Sequence, residues 1–172
     1  MEITYRKATV EDIEKIYSQF EQNIRDFFKE EYKPKTMDYF FSNRMSKEGL
    51  KKIVEESGIL YLAEDGAKSV GFLLLFEKPS GGVSFANWFT VNKSYQGKGI
   101  GTSLLKFWED DCLQKGVHAL MLGTEDYNIE FYKKRGFVFM GKMPHGYFGA
   151  EDNYMYKDIQ APNEGAFTRM QY

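Results

Sequence analysis

Soft metal ligands are scarce in this chain: one cysteine, Cys112, and two histidines, His118 and His145, in 172 residues. A lone thiol rules out an internal disulfide, and these three side chains fall short of the set a structural zinc site takes, so no metal is expected. Long apolar runs are missing too. None approaches the roughly 18 residues of a membrane-crossing helix, so no membrane partner is expected. The opening Met1–Lys7 carries Glu2, Arg6 and Lys7 and has no apolar signal core, which points to a cytoplasmic protein. Nor is there an excess of positive charge: 23 Lys and Arg against 25 Asp and Glu leave a net charge of −2. That balance speaks against a partner bound through nucleic-acid phosphates. Repeats and low-complexity stretches are absent from the sequence. The chain is instead rich in apolar (42%) and aromatic (17%) residues, which argues for a buried core and against disorder. Its length fits one domain, read as residues 1–160 with a C-terminal tail 161–172.

Periodicity divides the chain into an α/β pattern. Residues 3–8 read as a strand. Thr9 and Asp12 then resemble a capping box, and Ile13, Ile16, Tyr17, Phe20, Ile24, Phe27 and Phe28 follow at helical spacing. These predict an amphipathic helix over 10–31, ended before Pro34. Residues 32–45 are aromatic without a clear period and read as a loop or short helix. Ser46 caps a second helix carrying Leu50, Ile53 and Val54, and Ser57-Gly58 ends it. Apolar runs at 59–63, 69–76 and 83–91, separated by Glu64-Asp65-Gly66 and Pro79-Ser80-Gly81-Gly82, predict an antiparallel meander. A glycine-rich turn then leads into a helix over 99–115, with Ile100, Leu104, Leu105, Trp108 and Cys112 on its buried side. A strand at 118–122 completes a β-loop-α-β unit whose two strands should run parallel. A short helix near 128–135, strands at 137–143 and 154–158, and a tail in which Phe167, Met170 and Tyr172 offer docking groups complete the chain.

The turn is the informative segment. Gly97, Gly99 and Gly101 alternate between a strand and an amphipathic helix. Glycine tolerates unusual φ and close backbone approach, and the first N–H groups of a helix lack partners and carry the positive end of its dipole. Together they suit a phosphate or pyrophosphate. Thr102 and Ser103 add hydroxyls, and Lys98 adds a charge. The dinucleotide pattern Gly-x-Gly-x-x-Gly fails because its third glycine falls on Thr102, and the Walker pattern fails for want of Gly-Lys-Ser/Thr.

Several segments in order resemble the GNAT superfamily of acyl-CoA N-acyltransferases. Gln96-Gly97-Lys98-Gly99-Ile100-Gly101 fits that family's Gln/Arg-x-x-Gly-x-Gly/Ala loop, and Asn128…Phe131-Tyr132…Gly136-Phe137 fits its later Tyr signature. Phe89-Thr90-Val91 stands where the family has its split central strand, and Tyr5–Ile13 resembles its opening. The resemblance implies a mixed sheet in which a meander precedes parallel, splayed central strands. It implies acetyl-CoA as co-substrate, with the pyrophosphate on the N–H groups of Gly97–Ser103 and the pantetheine arm along Thr90, Val91 and Asn92. Asn128 would touch the arm and Tyr132 would sit beside the sulfur.

The implied reaction is direct transfer of an acetyl group to a primary amine of a small molecule or peptide N-terminus. A backbone N–H near Val91 would meet the oxyanion. Tyr132, protonated at neutral pH because phenols titrate near pH 10, would protonate the leaving thiolate. The base is open: residues 84–90 hold no carboxylate, and Glu125 is the assigned candidate, with Asp126, His145 and Asp152 behind it. That gap keeps a second reading, a non-catalytic acyl-CoA-binding sensor or assembly module. Cys112 reads as core packing. A homodimer through the exposed sheet end or the tail is compatible with the sequence.

Overall fold

The computed structural model describes residues 2–30 and 32–167. In chain order the elements are β1 (Ile3–Lys7), α1 (Val10–Phe27), α2 (Pro34–Ser42), α3 (Lys47–Lys52), β2 (Ile59–Asp65), β3 (Lys68–Leu75), β4 (Val83–Ala86), β5 (Trp88–Val91), α4 (Ile100–Gln114), β6 (Ala119–Thr124), α5 (Ile129–Lys133), β7 (Val138–Met143), β8 (Asp152–Asp158) and α6 (Glu164–Phe167). They form two compact units that the chain visits alternately. One holds Met1–Glu77 and Trp88–Leu105; the other holds Lys78–Asn87 and the residues from Lys106 onward.

The first unit is an antiparallel sheet of order β1-β2-β3-β5. Helix α1 begins where Asp12 accepts the Thr9 N–H at 2.8 Å, as the sequence implied. It ends at Phe27 rather than near residue 31. Phe28 leaves helical dihedrals (φ −102°, ψ 13°), and its ring packs edge-on against Trp88 at 4.9 Å. Packing, not propensity, sets that boundary. The aromatic stretch after it holds α2, opened by Pro34, whose fixed φ suits the first helical position. Ile13, Ile16, Phe20 and Ile24 of α1 are buried in one cluster with Leu60, Leu62, Phe72 and Leu74. Arg6 ties β1 to α1 and β2, donating from Nη1 to Asp12 at 2.6 Å and from Nε to Glu64 at 2.7 Å.

The second unit is a mixed sheet of order β4-β6-β8-β7, in which only β4 and β6 run parallel. The single strand read over 83–91 is thus two strands either side of Asn87. The later half extends the antiparallel meander through β3, and the earlier half pairs in parallel with β6. Asn87, a poor strand former, is the one local mark of the break, and the sequence does not show that the two halves take different partners. Trp108 of α4 is fully buried and donates from Nε1 to Ser84 Oγ at 3.0 Å. Strand β6 alternates: Leu120, Leu122 and Thr124 are buried, and Met121 and Gly123 lie on the other, half-open face. In β8, Asn153 and Met155 turn inward and Asp152 and Tyr154 outward. The docking expected of Phe167, Met170 and Tyr172 lies outside the described side chains.

Candidate active site

The glycine bend lies in the first unit, at the end of β5. Strand β5 is outermost in its sheet. The Asn92 N–H donates to Val70 O at 2.8 Å, so antiparallel alternation turns the backbone groups of Thr90 and Asn92 toward β3. Those of Phe89 and Val91 turn to the open edge. The Gln96 side chain confirms the direction, donating from Nε2 to Val91 O at 3.0 Å. Of the three residues expected along a pantetheine arm, Val91 therefore presents its main chain outward. Thr90 is buried, and its hydroxyl has no hydrogen-bond partner among the described residues. Asn92 is spent on the turn: its Oδ1 accepts the Ser94 N–H at 3.2 Å and the Ser94 hydroxyl at 3.0 Å, closing a short turn over 93–95.

Gly97 (φ +73°) and Gly99 (φ +82°) follow in left-handed conformations that side chains resist. A Cβ at either would meet nothing within 4 Å, so φ alone demands glycine there and the space over the bend is open. The Ser103 N–H is bonded to Gly99 O at 3.0 Å. The N–H groups of Ile100, Gly101 and Thr102 precede that bond and point along the start of the helix. Ile100 contributes only its main chain, since its side chain is buried. Lys98 Nζ lies 5.1 Å from the centre of the Tyr95 ring, whose hydroxyl donates to Asp65 Oδ2 at 3.0 Å.

The second unit carries the side-chain chemistry. Tyr132, on α5, is 5% exposed, its ring against Phe131 at 5.1 Å and Phe137 at 5.7 Å. Gly136 (φ +85°) ends the helix and lets the Phe137 N–H return to Tyr132 O at 3.2 Å. Burial and then the Glu125 carboxylate raise the Tyr132 hydroxyl well above the ordinary phenol range, partly opposed by its hydrogen bond with Thr124. The hydroxyl is a held proton, as an acid requires. Asn128 donates from Nδ2 to Glu125 Oε2 at 3.2 Å, so two of the expected site residues meet each other.

Two further residues stand out here. Asn153, 1% exposed, donates to Thr124 O at 3.0 Å and Asp126 Oδ1 at 2.9 Å, fixing the end of β6. Its place beside Tyr154 in an alternating strand gave no sign of this. Asp152 is half-buried and its carboxyl is raised by desolvation, with Tyr154 acting against that shift through a hydrogen bond. His145 is exposed and Cys112 fully buried. Among the described residues no group of three His, Cys, Asp or Glu side chains is arranged to hold a metal ion.

Residues 16–137 match the sequence model of the acetyltransferase (GNAT) family. The chain belongs to that family. Over 104 residues it is 31% identical to S-(2-succino)cysteine N-acetyltransferase of Bacillus subtilis, a match spanning 55% of this chain and 63% of that protein. Over 98 residues it is 29% identical to the chloroplastic serotonin N-acetyltransferase 2 of rice, Oryza sativa subsp. japonica, spanning 55% and 49%. The matches thus span less than two thirds of the curated relatives' own length. Among solved structures, the PaiA N-acetyltransferase of Thermoplasma acidophilum in complex with coenzyme A superposes with a TM-score of 0.75 at 21% identity, over 92% of this chain and 99% of that one. The GNAT fold, a mixed α/β arrangement, is shared throughout.

Proposed function

We propose that this family member is an N-acetyltransferase that moves an acetyl group from acetyl-CoA to a primary amine by direct transfer in a ternary complex. The observation that carries the reading is the open glycine bend running into α4 beside the outward main chain of Val91. The N–H groups of residues 97–103 hold the pyrophosphate, with Lys98, Thr102 and Ser103 as side-chain donors, and Gln96 sets the bend against the strand. Val91 pairs with the pantetheine arm, and its N–H faces the oxyanion that forms when the amine attacks the thioester carbonyl.

Tyr132 gives the departing thiolate a proton, a role its desolvated, protonated hydroxyl suits. The nitrogen loses a proton as the C–N bond forms, which restores the balance. Asn128 holds Glu125, whose negative charge helps keep the Tyr132 hydroxyl protonated. Both relatives named above are N-acetyltransferases of amines, which supports the acceptor class. No helix of the described residues is long and apolar enough to cross a membrane, and the reading places the protein in the cytoplasm. It also includes a homodimer through β7, the outermost strand of its sheet, where Val138, Phe139 and Met140 are exposed. Light scattering would then give twice the chain mass of 20.1 kDa.

The test is a melting-temperature comparison with acetyl-CoA, ATP and NAD, followed by thiol release with amines. Acetyl-CoA alone should stabilise the protein, and thiol should appear only when an amine is present. Stabilisation without thiol release from any amine would make the chain a binding module; no stabilisation would sink the reading.

A further inference from the structure

The outer face of the second unit's sheet carries an unbalanced carboxylate. Asp152 begins β8 and lies across β6 at Gly123, where a Cβ would stand 2.7 and 2.8 Å from its two oxygens. Gly146 makes room from the other side, since a Cβ there would come within 2.9 Å of the Asp152 Cβ. Two glycines thus accommodate one half-buried acid. No Lys, Arg or His among the described residues is within ion-pair distance of it. The groups around it are Tyr154 on its own strand, hydrogen-bonded to it, the main-chain N–H groups of Thr124 and Asn153, which also donate to it, and Tyr147 of the returning loop, which acts on Tyr154. Strand β6 brings only main chain. Lys142 of β7 is already bound to Glu151 at 2.6 Å and Asp126 at 3.0 Å.

The surroundings are aromatic. Tyr154 packs against Phe85 of β4 at 6.2 Å. Tyr147 and Phe148 stack edge-on at 5.6 Å, both more than two-fifths exposed. Phe148 is the one described non-glycine residue with positive φ, +52°. Holding a phenylalanine in that region costs about 1 kcal/mol or more, and such strain gathers at binding loops.

We propose that Asp152 is the acceptor-binding and proton-accepting residue, and that the acceptor is a primary ammonium carried on an aromatic or apolar body. This rests on the acetyltransferase reading above. The ammonium sits against the carboxylate and its body lies on the Phe85, Tyr154 and Tyr147 rings, which attract both apolar surface and cationic charge. The R–NH3+ group gives one proton to Asp152, leaving a neutral amine and a carboxylic acid that returns its proton to solvent. The amine's lone pair attacks the thioester carbon, the C–N bond forms and the C–S bond breaks. The nitrogen's second proton replaces the one Tyr132 gave to sulfur, so amide, CoA thiol and one solvent proton result. The end of β6 divides the labour by face: Thr124, inward, meets the Tyr132 hydroxyl, and Gly123, outward, bears Asp152.

The experiment compares the wild type with Asp152→Asn, using acetyl-CoA and four acceptors: phenethylamine, spermidine, an alanine dipeptide, and phenylhydrazine, whose amine is neutral at pH 7. Phenethylamine should give the highest kcat/KM of the three cationic acceptors. The variant should lower that value by about 100-fold, with the KM for acetyl-CoA and the stabilisation by it unchanged. The loss should shrink sharply for phenylhydrazine, which has no proton to surrender before attack. A preference for spermidine or the dipeptide would overturn the acceptor class. Unimpaired phenethylamine turnover, or an equal loss with both aromatic acceptors, would overturn the role of Asp152. A wild type not stabilised by acetyl-CoA would instead bring down the reading beneath it.

Discussion

The two units of this chain approach chemistry by opposite means. In the first, β2 and β3 are buried along nearly their whole length on both faces, so their side chains serve the core. What it offers a ligand is main chain: the outward edge of β5 and the amides of the bend. In the second, β6 and β8 alternate buried and half-open residues. The groups proposed to react there are side chains, Tyr132 inward and Asp152 outward. Gripping a long, charged coenzyme asks for a fixed row of donors, which glycine dihedrals and a helix start supply. Moving protons asks for titratable groups whose environments are tuned one by one, which requires a sheet with an accessible face.

That contrast can be broken most forcefully at Trp108. Trp108→Ala empties a fully buried site and strands the Ser84 hydroxyl, and should destabilise the protein by about 3–5 kcal/mol in urea titrations. A loss below about 1 kcal/mol would show that the second unit does not depend on this packing. Tyr132→Phe should lower turnover by about 100-fold while leaving acetyl-CoA affinity as it was; unchanged turnover would remove side-chain acid catalysis from the second unit.

Gly99→Ala should act in the opposite sense. The added methyl meets open space, so its effect comes only from φ, about 1–2 kcal/mol, and it should weaken acetyl-CoA binding roughly tenfold in calorimetry while sparing turnover at saturation. An effect on turnover but not binding would reverse the assignment of the two units. The smallest effect belongs to Asp12. The Arg6 guanidinium holds its carboxyl at about 2, against an ordinary 3.8. A depressed acid adds stability above its unfolded value and loses it as pH falls through the folded one. Asp12→Asn should therefore flatten the stability profile between about pH 4 and pH 2 and leave its shape near neutrality unchanged.

Reading from the sequence succeeded where one residue type answers one local demand. Gly97 and Gly99 sit at the positive φ values that their alternation implied, and the buried side of α4 is the one its period gave, Ile100 through Cys112. Thr9 and Asp12 cap α1 as read. It failed where the answer depends on a distant partner. Strand 83–91 carries only Asn87 as a weak local interruption, and pairing with β3 on one side and β6 on the other is what makes it two strands. Thr90 and Asn92 looked equivalent to Val91 until the ladder to β3 fixed which amides turn outward. Asp152 was one of several acids with nothing to rank it, because desolvation and the absence of a cation arise only after Gly123 and Gly146 are folded against it.

The amino-acid order by itself determined the family and the glycine bend that opens α4, since glycine spacing and helix periodicity act within a few residues. Tertiary structure alone decided which amides face the open edge, that burial raises the Tyr132 hydroxyl, and that Asp152 is half-buried against Gly123 and Gly146. Those properties are set by dielectric and by neighbours far away in the chain, and neither is written in any short stretch of sequence.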